Sequence, residues 1–284
     1  IDGALFAQGG TIILEGGEVI LDRVSANRRL FITGATSNDN LPSILSMQDT
    51  DTNSITLARL SLKECKFHGA HNLSSLSLES STELHFSPQF ANVKRRCIAE
   101  EIQWRSKRRH ITSKLWLRLI PKKDDKARQE CREIIPLSPS QIAVLYRDLR
   151  RGLEARADQP GAADFYYGEM EMRRHDSDTS LSDRLILTLY WLTSGYSLRA
   201  SRSFLMLFTL VVIATVALQK FGFTNGPVGW STAWLYVLKS VLPGFKSTAV
   251  TLSLIGECIE IAVRFVSPIL LALFFLALRG RVKR

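Results

Sequence analysis

The sequence has few of the residues on which disulfide-bonded and metal-binding domains depend. Its 284 residues include only 4 cysteines and 5 histidines, and the cysteines are far apart. We therefore predict reduced thiols rather than a disulfide framework. Cys65, His68 and His71 lie at intervals of three, but zinc requires four ligands, or three and a water, in fixed geometry. We predict that the chain binds no metal and no cofactor.

Motifs of common enzyme classes are also missing. No glycine-rich dinucleotide loop follows a predicted strand, and the histidines are scattered without a nucleophile beside them. We predict that the protein is not an enzyme. The N-terminus lacks the basic, apolar and small-residue pattern of a signal peptide. Because the chain opens on Ile1 rather than Met, we expect further sequence upstream.

Long apolar runs occur near the C-terminus, at residues 203–223 and 259–278. At about 1.5 Å per residue, a run of this length covers a hydrocarbon core of roughly 30 Å. We predict two transmembrane helices in a module comprising residues 199–284. The alternative, buried helices of a soluble core, is less consistent with apolar runs of this length.

Basic residues flank both runs, and the formal net charge is +10. Arg199 and Arg202 precede the first run, and four basic residues follow the second: Arg279, Arg281, Lys283 and Arg284. The positive-inside rule places both flanks in the cytoplasm, which requires an even number of crossings. We expect a cell (inner or plasma) membrane protein with its N-terminal domain and C-terminus in the cytoplasm. Its expected partners include the lipid bilayer and anionic lipid headgroups.

The segment between the runs, WSTAWLYVLKSVL at residues 230–242, is apolar but too short to cross. Pro243 and Gly244 then break it. One interpretation is a re-entrant helix, as in two-span pore-loop channels. The other is an interfacial helix anchored by Trp230, Trp234 and Tyr236. Local sequence does not choose between them.

Three ionisable residues of the second predicted helix share one helical face: Glu257, just before the second run, and Glu260 and Arg264 within it. Charged groups at membrane depth are costly and usually face a partner or a water-filled cavity. The residues therefore form either a polar seam along an ion path or a self-neutralising Glu260–Arg264 pair, with Glu257 near the interface. Pro268 is expected to kink or loosen the helix. The pore or gating candidates are Glu257, Glu260, Arg264, Pro243, Gly244 and Pro268.

Residues 55–72 show a period of five that neither a helix nor a strand produces. This spacing favours a β-solenoid whose repeats each form one side of a square coil, with two apolar phases inside. We assign residues 1–92 to this domain. The two phases are Leu57, Leu62 and Phe67, and Ile55, Leu60, Cys65 and Ala70.

Residues 93–137 form a densely basic linker or helix with interleaved tryptophans. It is interpreted as a solvated face or as a surface for anionic lipid; nucleic acid is the less favoured ligand.

Residues 138–198 are predicted to form a cytoplasmic helical hairpin and an interfacial helix. Ser138, Pro139 and Gln141 mark a helix start, and residues 159–161 are expected to end that helix. Further helices are predicted at about residues 162–174 and 181–193. Three aromatic residues, Tyr190, Trp191 and Tyr196, suit either the membrane interface or helix packing.

Several segments resemble actinobacterial pentapeptide-repeat membrane proteins that have a C-terminal two-span, ion-channel-like module. They are CKFHGAHNL at 65–73, AEE at 99–101 followed by Trp104 and Arg105, Tyr146–Arg150, GAADFYYGEMEMRR at 161–174, Ser194–Arg199 and LRGRVKR at 278–284. The resemblance implies a mixed fold: a solenoid, a helical hairpin and a two-helix membrane module with a re-entrant segment. Some relatives are labelled oxidoreductases, but this chain has neither a dinucleotide loop nor a close cysteine pair.

The sequence departs from potassium channels where their selectivity filter would stand. Pro-Gly-Phe-Lys-Ser at 243–247 replaces the threonine-valine-glycine-tyrosine-glycine motif, so we do not expect potassium selectivity by rings of backbone carbonyls. Our hypothesis is a homo-oligomeric, channel-like protein with a cytoplasmic domain that senses or assembles. The alternative is a membrane-anchored scaffold without a pore, whose cytoplasmic repeat domain binds a protein partner.

Overall fold

The computed structural model describes residues 1–35, 41–79, 81–87, 95–113, 137–224, 228–242 and 251–282. Within these ranges the chain forms ten short β-strands followed by seven α-helices. It divides into two compact units, Ile1–Ser180 and Leu181–Arg284. The first unit contains the strands and three helices, and the second contains four helices.

The first unit begins with a β-solenoid of about three turns, whose strands pair in parallel from coil to coil. Strands β2, β5, β7 and β8 form one sheet; β1 pairs with β4, and β3 with β6. Strands β9 and β10 pair antiparallel after the last coil. The strands are β1 Leu5–Phe6, β2 Gly10–Leu14, β3 Glu18–Ile20, β4 Ser25–Ala26, β5 Leu30–Gly34, β6 Ser43–Ser46, β7 Ile55–Ala58, β8 Ser77–Leu78, β9 His85–Phe86 and β10 Arg96–Cys97.

The five-residue pattern packs inside this solenoid. Ser46 bridges Lys66, and Asp51 bridges His71, so residues twenty positions apart stack in neighbouring coils. The predicted β-solenoid is therefore confirmed, with both apolar phases turned inward. Its fully buried members are Ile55, Leu57, Leu60, Leu62, Cys65 and Phe67.

Helices α1 Ala99–Ser113, α2 Pro139–Ala155 and α3 Gln159–His175 complete the first unit. Helix α2 buries an apolar stripe at helical spacing: Ile142, Leu145, Tyr146, Leu149 and Leu153. These side chains share one hydrophobic core with Leu73, Leu76 and Leu78 of the last coil. The helices thereby cover an end of the solenoid that would otherwise expose apolar side chains.

The start of α2 is confirmed, but the start of α3 differs from the prediction. Gln141 N donates to Ser138 Oγ at 3.3 Å, and Ser138 N donates to Gln141 Oε1 at 3.0 Å, forming a capping box. The Pro-Gly pair at 160–161 does not terminate α2; it lies in the first turn of α3. Asp158 caps that helix by accepting from Gly161 N at 3.1 Å. Proline is tolerated there because first-turn N–H groups have no intrahelical acceptor.

The second unit contains α4 Leu181–Ser194, α5 Ala200–Ala217, a π-helical turn Leu218–Gly222, α6 Trp230–Val241 and α7 Leu254–Val282. Two segments are long and apolar enough to cross a membrane: Ala200–Gly222 and Leu254–Arg279. The second starts five residues earlier than predicted. Ser253 Oγ accepts from Gly256 N at 3.1 Å and so caps α7. Glu257 consequently lies in the first helical turn, where a negative charge interacts favourably with the helix dipole and stabilises the helix.

The two long helices run antiparallel and are joined at one end by a close backbone contact. A Cβ added to Gly256 would lie 2.2 Å from the carbonyl oxygen of Gly222, so this approach requires glycine. Ser253 N donates to the same oxygen at 2.9 Å. At the other end, the rings of Phe204 and Phe274 are 6.0 Å apart.

Candidate functional site

A polar network connects α6 to α7 in the second unit. The Tyr236 hydroxyl donates to Glu260 Oε2 at 2.7 Å, and Arg264 Nη2 lies 2.5 Å from Glu260 Oε1. The Glu260–Arg264 ion pair, the second of the two alternatives for these residues, is therefore present. We call Tyr236, Glu260 and Arg264 the Glu260 network.

Helix α6 packs against both α5 and α7 and extends toward the middle of α7. The carbonyl oxygen of Val241, at the end of α6, accepts from Ser267 Oγ at 3.4 Å. Ser267 is about 20 Å along α7 from Leu254 at the usual helical rise. The inward side chains of α6 are Ala233, Tyr236, Val237, Ser240 and Val241.

The chain segments that flank α6 meet at one end of the long helices. Phe223 forms an antiparallel bridge with Leu252, and Thr224 N donates to Thr251 O at 3.3 Å. The chain thus leaves this helix end, reaches the middle of α7 at Val241, and is back at the same end by Thr251. Pro243 and Gly244 lie outside the described residues.

The outer side of the Glu260 network is open. The Arg264 side chain is 47% exposed, whereas that of Glu260 is 15% exposed, and Glu257 is exposed. Helix α7 continues through Pro268, which has no N–H to donate to the carbonyl of Arg264. An otherwise apolar helix therefore has a surface stripe containing a guanidinium, a carboxylate and a backbone carbonyl without its helical donor.

Basic residues lie at the end of the long helices opposite the glycine contact. Arg199 immediately precedes α5, and Arg279 lies in the last turns of α7. Arg202 donates to the carbonyl oxygen of Trp191 at 3.3 Å, and its guanidinium carbon is 5.1 Å from the centre of the indole ring. The side chain of Arg281 is not described, and Lys283 and Arg284 lie outside the described residues.

The aromatic interface candidates divide into packed and exposed side chains. Tyr196 is fully buried and packs against Tyr190 at a ring distance of 5.7 Å. It therefore fits the helix-packing alternative. Trp230 is exposed and stacks on Trp234 at 6.3 Å, and Trp234 also contacts Phe208 of α5.

The histidines that follow Cys65, His68 and His71, form hydrogen bonds through their backbone atoms. His68 N donates to Glu100 Oε1 at 3.1 Å, and the carbonyl oxygen of His71 accepts from Thr52 Oγ1 at 2.9 Å. Across the described ranges, no group of three or more His, Cys, Asp or Glu residues could hold a metal ion.

A second ionic cluster is buried in the first unit. The Glu101 carboxylate is fully buried and accepts hydrogen bonds from Arg95, from the Tyr146 hydroxyl and from Arg105 Nε, the last at 2.6 Å. The Tyr146 oxygen also accepts from Ile98 N at 3.1 Å. We call Arg95, Glu101, Arg105 and Tyr146 the Glu101 cluster. It joins the start of α1 to α2 across 45 residues of sequence.

The FYYGEMEMRR segment, the most distinctive in the chain, extends this ionic packing through two further buried carboxylates. Glu169 pairs with Arg150 at 3.3 Å and Arg173 at 2.7 Å. Glu171 pairs with Arg174 at 2.7 Å. The described contacts therefore give these residues a role in holding the helices together.

The interpretation of residues 93–137 as a basic surface, which included Arg95 and Arg105, is wrong for Arg95, which is buried. The guanidinium of Arg95 lies 5.3 Å from the ring centre of Tyr167 and 5.8 Å from that of Tyr146. The sequence signal that could have indicated this burial was the set of acidic residues at 101, 169 and 171, which pair with arginines. Most of the remaining basic linker lies outside the described residues.

The Glu101 cluster predicts a pH-dependent stability. Burial alone would raise the pKa of Glu101, but Arg95, Arg105 and the Tyr146 hydroxyl hold that pKa below its usual range. Such a carboxyl stabilises the fold above its unfolded pKa of about 4.3 and ceases to do so as the pH falls through its folded pKa. We expect the difference in unfolding free energy between the native protein and Glu101→Gln to shrink from about pH 5 downward.

Urea unfolding at several pH values, followed by Trp104 fluorescence with the other four tryptophans replaced by phenylalanine, measures this difference. The pKa of neighbouring Glu100 is raised by burial, against the backbone N–H groups that it binds. Its contribution cancels because Glu100 is present in both proteins. A difference that stays constant over this pH range would contradict a lowered pKa for Glu101.

In comparisons with known proteins, no family profile, no curated protein and no solved structure matches the chain. The resemblance described above therefore rests on the quoted segments. Its coarser implication agrees with the structure: a β-solenoid region is followed by two helices suited to crossing a membrane.

Proposed function

We propose that the chain is an oligomeric membrane protein whose second unit forms an ion-conducting module. The observation that carries this proposal is the path of the chain around α6. That path enters and leaves at one end of the long helices, while Val241 contacts Ser267 near the middle of α7. In a bilayer, the same path is that of a re-entrant segment, which is tolerated where it lines a water-filled cavity.

The packing of a single chain supports oligomerisation as part of this proposal. Helices α5 and α7 pack directly on each other, and α6 fills one side of the pair. Two long helices and one short helix leave no enclosed path, so a pore requires several copies. Around a shared axis, Glu257, Glu260 and Arg264 would face water rather than lipid, which removes the cost of charge at membrane depth.

The basic residues support an orientation. Arg199, Arg202 and Arg279 lie at the same end of the antiparallel helices. Under the positive-inside rule this end is cytoplasmic. The solenoid unit and the C-terminus are then on the cytoplasmic side, where the solenoid senses a signal or assembles subunits.

Single-channel recording of the purified full chain in planar bilayers tests the proposal. We expect discrete openings in the native protein, and an altered conductance or open time in a Glu260→Gln, Arg264→Gln double variant, because its seam carries different charges. Cys258→Ser is the matched control, since Cys258 is exposed on the same helix but on a different face. Silent bilayers containing protein that is shown to be folded and inserted would contradict an ion-conducting function.

The alternative function is a membrane-anchored scaffold, and the Glu260 network favours it in one respect. Glu260 and Arg264 neutralise each other within one chain, so neither charge requires a water-filled path. Under this alternative, neutralising Glu257, Glu260 and Arg264 together changes stability alone. Binding of a protein partner to the solenoid unit would then be unaffected by the triple variant.

A further inference from the structure

Helix α4 presents an apolar stripe away from the rest of its unit. Four leucines spaced by three or four residues share this face and are largely exposed: Leu181 at 81%, Leu185 at 62%, Leu189 at 52% and Leu192 at 48%. Ile186, beside them, is 62% exposed. We call these five residues the α4 stripe.

The arrangement is the reverse of that in a water-exposed helix, whose outer face is polar. Helix α4 packs against α5 and α7, and its inner side includes partly buried Arg184, Thr188 and Trp191. These three side chains thus lie toward the protein, while the α4 stripe lies outside. Exposed apolar stripes of this size mark a surface that binds a membrane or another protein.

We propose that the α4 stripe lies in the boundary between the headgroups and acyl chains of a membrane that contains anionic lipid. This inference rests on the proposed membrane insertion of α5 and α7. At 14 residues, α4 is too short to cross a bilayer, but it suits an interfacial position. Phe204 and Leu205, in the first turns of α5, are exposed apolar side chains as well.

Charge identifies the kind of lipid. The end of the unit where α4 packs contains Arg184, Arg199, Arg202 and Arg279, whereas Asp183 is the one acidic residue of α4. Arg202 is held beside Trp191, whose indole suits the headgroup region. Anionic headgroups near these guanidinium groups would draw the helix toward the surface, and each nearby basic residue strengthens that attraction.

The test is spin-label accessibility on the full chain reconstituted in vesicles of phosphatidylcholine, with and without phosphatidylglycerol. Single cysteines replace Leu185 and Leu189 on the stripe, and Asp183 on its polar flank as a matched control. The four native cysteines are replaced by serine. Labels at positions 204 and 265, on exposed faces of α5 and α7, report membrane insertion independently.

We expect labels at 185 and 189 to be relaxed more by oxygen than by a water-soluble nickel chelate, and the label at 183 to show the opposite. With phosphatidylglycerol present, the labels at 185 and 189 should shift toward oxygen, and Arg202→Gln should reduce that shift. The same accessibility with and without phosphatidylglycerol would overturn the role of anionic lipid.

Two results would overturn the lipid contact. Nickel-accessible labels at 185 and 189 would place the stripe in water. Labels inaccessible to both reagents would place it against protein, and spin–spin broadening would identify a second copy as the cover.

If the labels at 204 and 265 were also in water, the proposed function would fail as well. If those two labels are in lipid, only the inference about α4 fails.

Discussion

Replacing Glu101 by glutamine lowers the unfolding free energy of the first unit by about 3–5 kcal/mol, the usual cost of removing one partner from a buried ion pair. The carboxylate is fully buried and is the common acceptor for two guanidinium groups and a phenol. Without its charge, Arg95 remains buried without a carboxylate partner. Urea unfolding of the full chain in detergent, followed by Trp104 fluorescence, measures the loss.

Glu83→Gln is the matched control for this experiment. Glu83 also pairs with a cation, Lys63, at 2.6 Å, but both side chains are about half exposed. Solvent screens such a pair, and we expect a change of about 0–1 kcal/mol. Equal losses in the Glu101 and Glu83 variants would contradict a larger contribution from the buried Glu101 cluster than from an exposed ion pair.

Replacing Gly256 by alanine separates the long helices at their joined end and destabilises the second unit by about 1–3 kcal/mol, the usual cost of overpacking. The added methyl would lie 2.2 Å from the carbonyl oxygen of Gly222, and because this atom belongs to the backbone, the two backbone segments must move apart. The hydrogen bond from Ser253 N to that oxygen, 2.9 Å long, is lost as the chains separate. The expected readout is a lower thermal midpoint of Trp230 and Trp234 fluorescence, with the other tryptophans replaced by phenylalanine.

Gly229→Ala is the control for this substitution. The chemical change is the same, but a Cβ at Gly229 would meet no heavy atom within 4 Å. Its φ of −57° is open to any residue. We expect its thermal midpoint to stay at the native value. A Gly256→Ala protein that melts together with this control would show that the helix ends are not in close contact.

The local sequence pattern was sufficient to predict an element wherever the environment of its residues is set by near neighbours in the sequence. Two long apolar runs predicted the two long helices, because the length and the hydrophobicity of a run are properties of one segment. The five-residue period predicted the solenoid, because each coil repeats the same inward phases. Ser138 and Gln141 predicted the start of α2, since a capping box is complete within four residues.

Tertiary structure alone decided contacts between distant segments and the direction in which each helix faces. Glu101 binds Tyr146 across 45 residues, so the burial of Arg95 depends on a partner that no local window contains. Gly256 meets Gly222 for the same reason. For α4, the sequence showed apolar and aromatic residues on every side, and packing against α5 and α7 turned Trp191 inward and the leucines outward. The sequence thus determined the elements, and long-range packing decided which of their charged and apolar faces are buried.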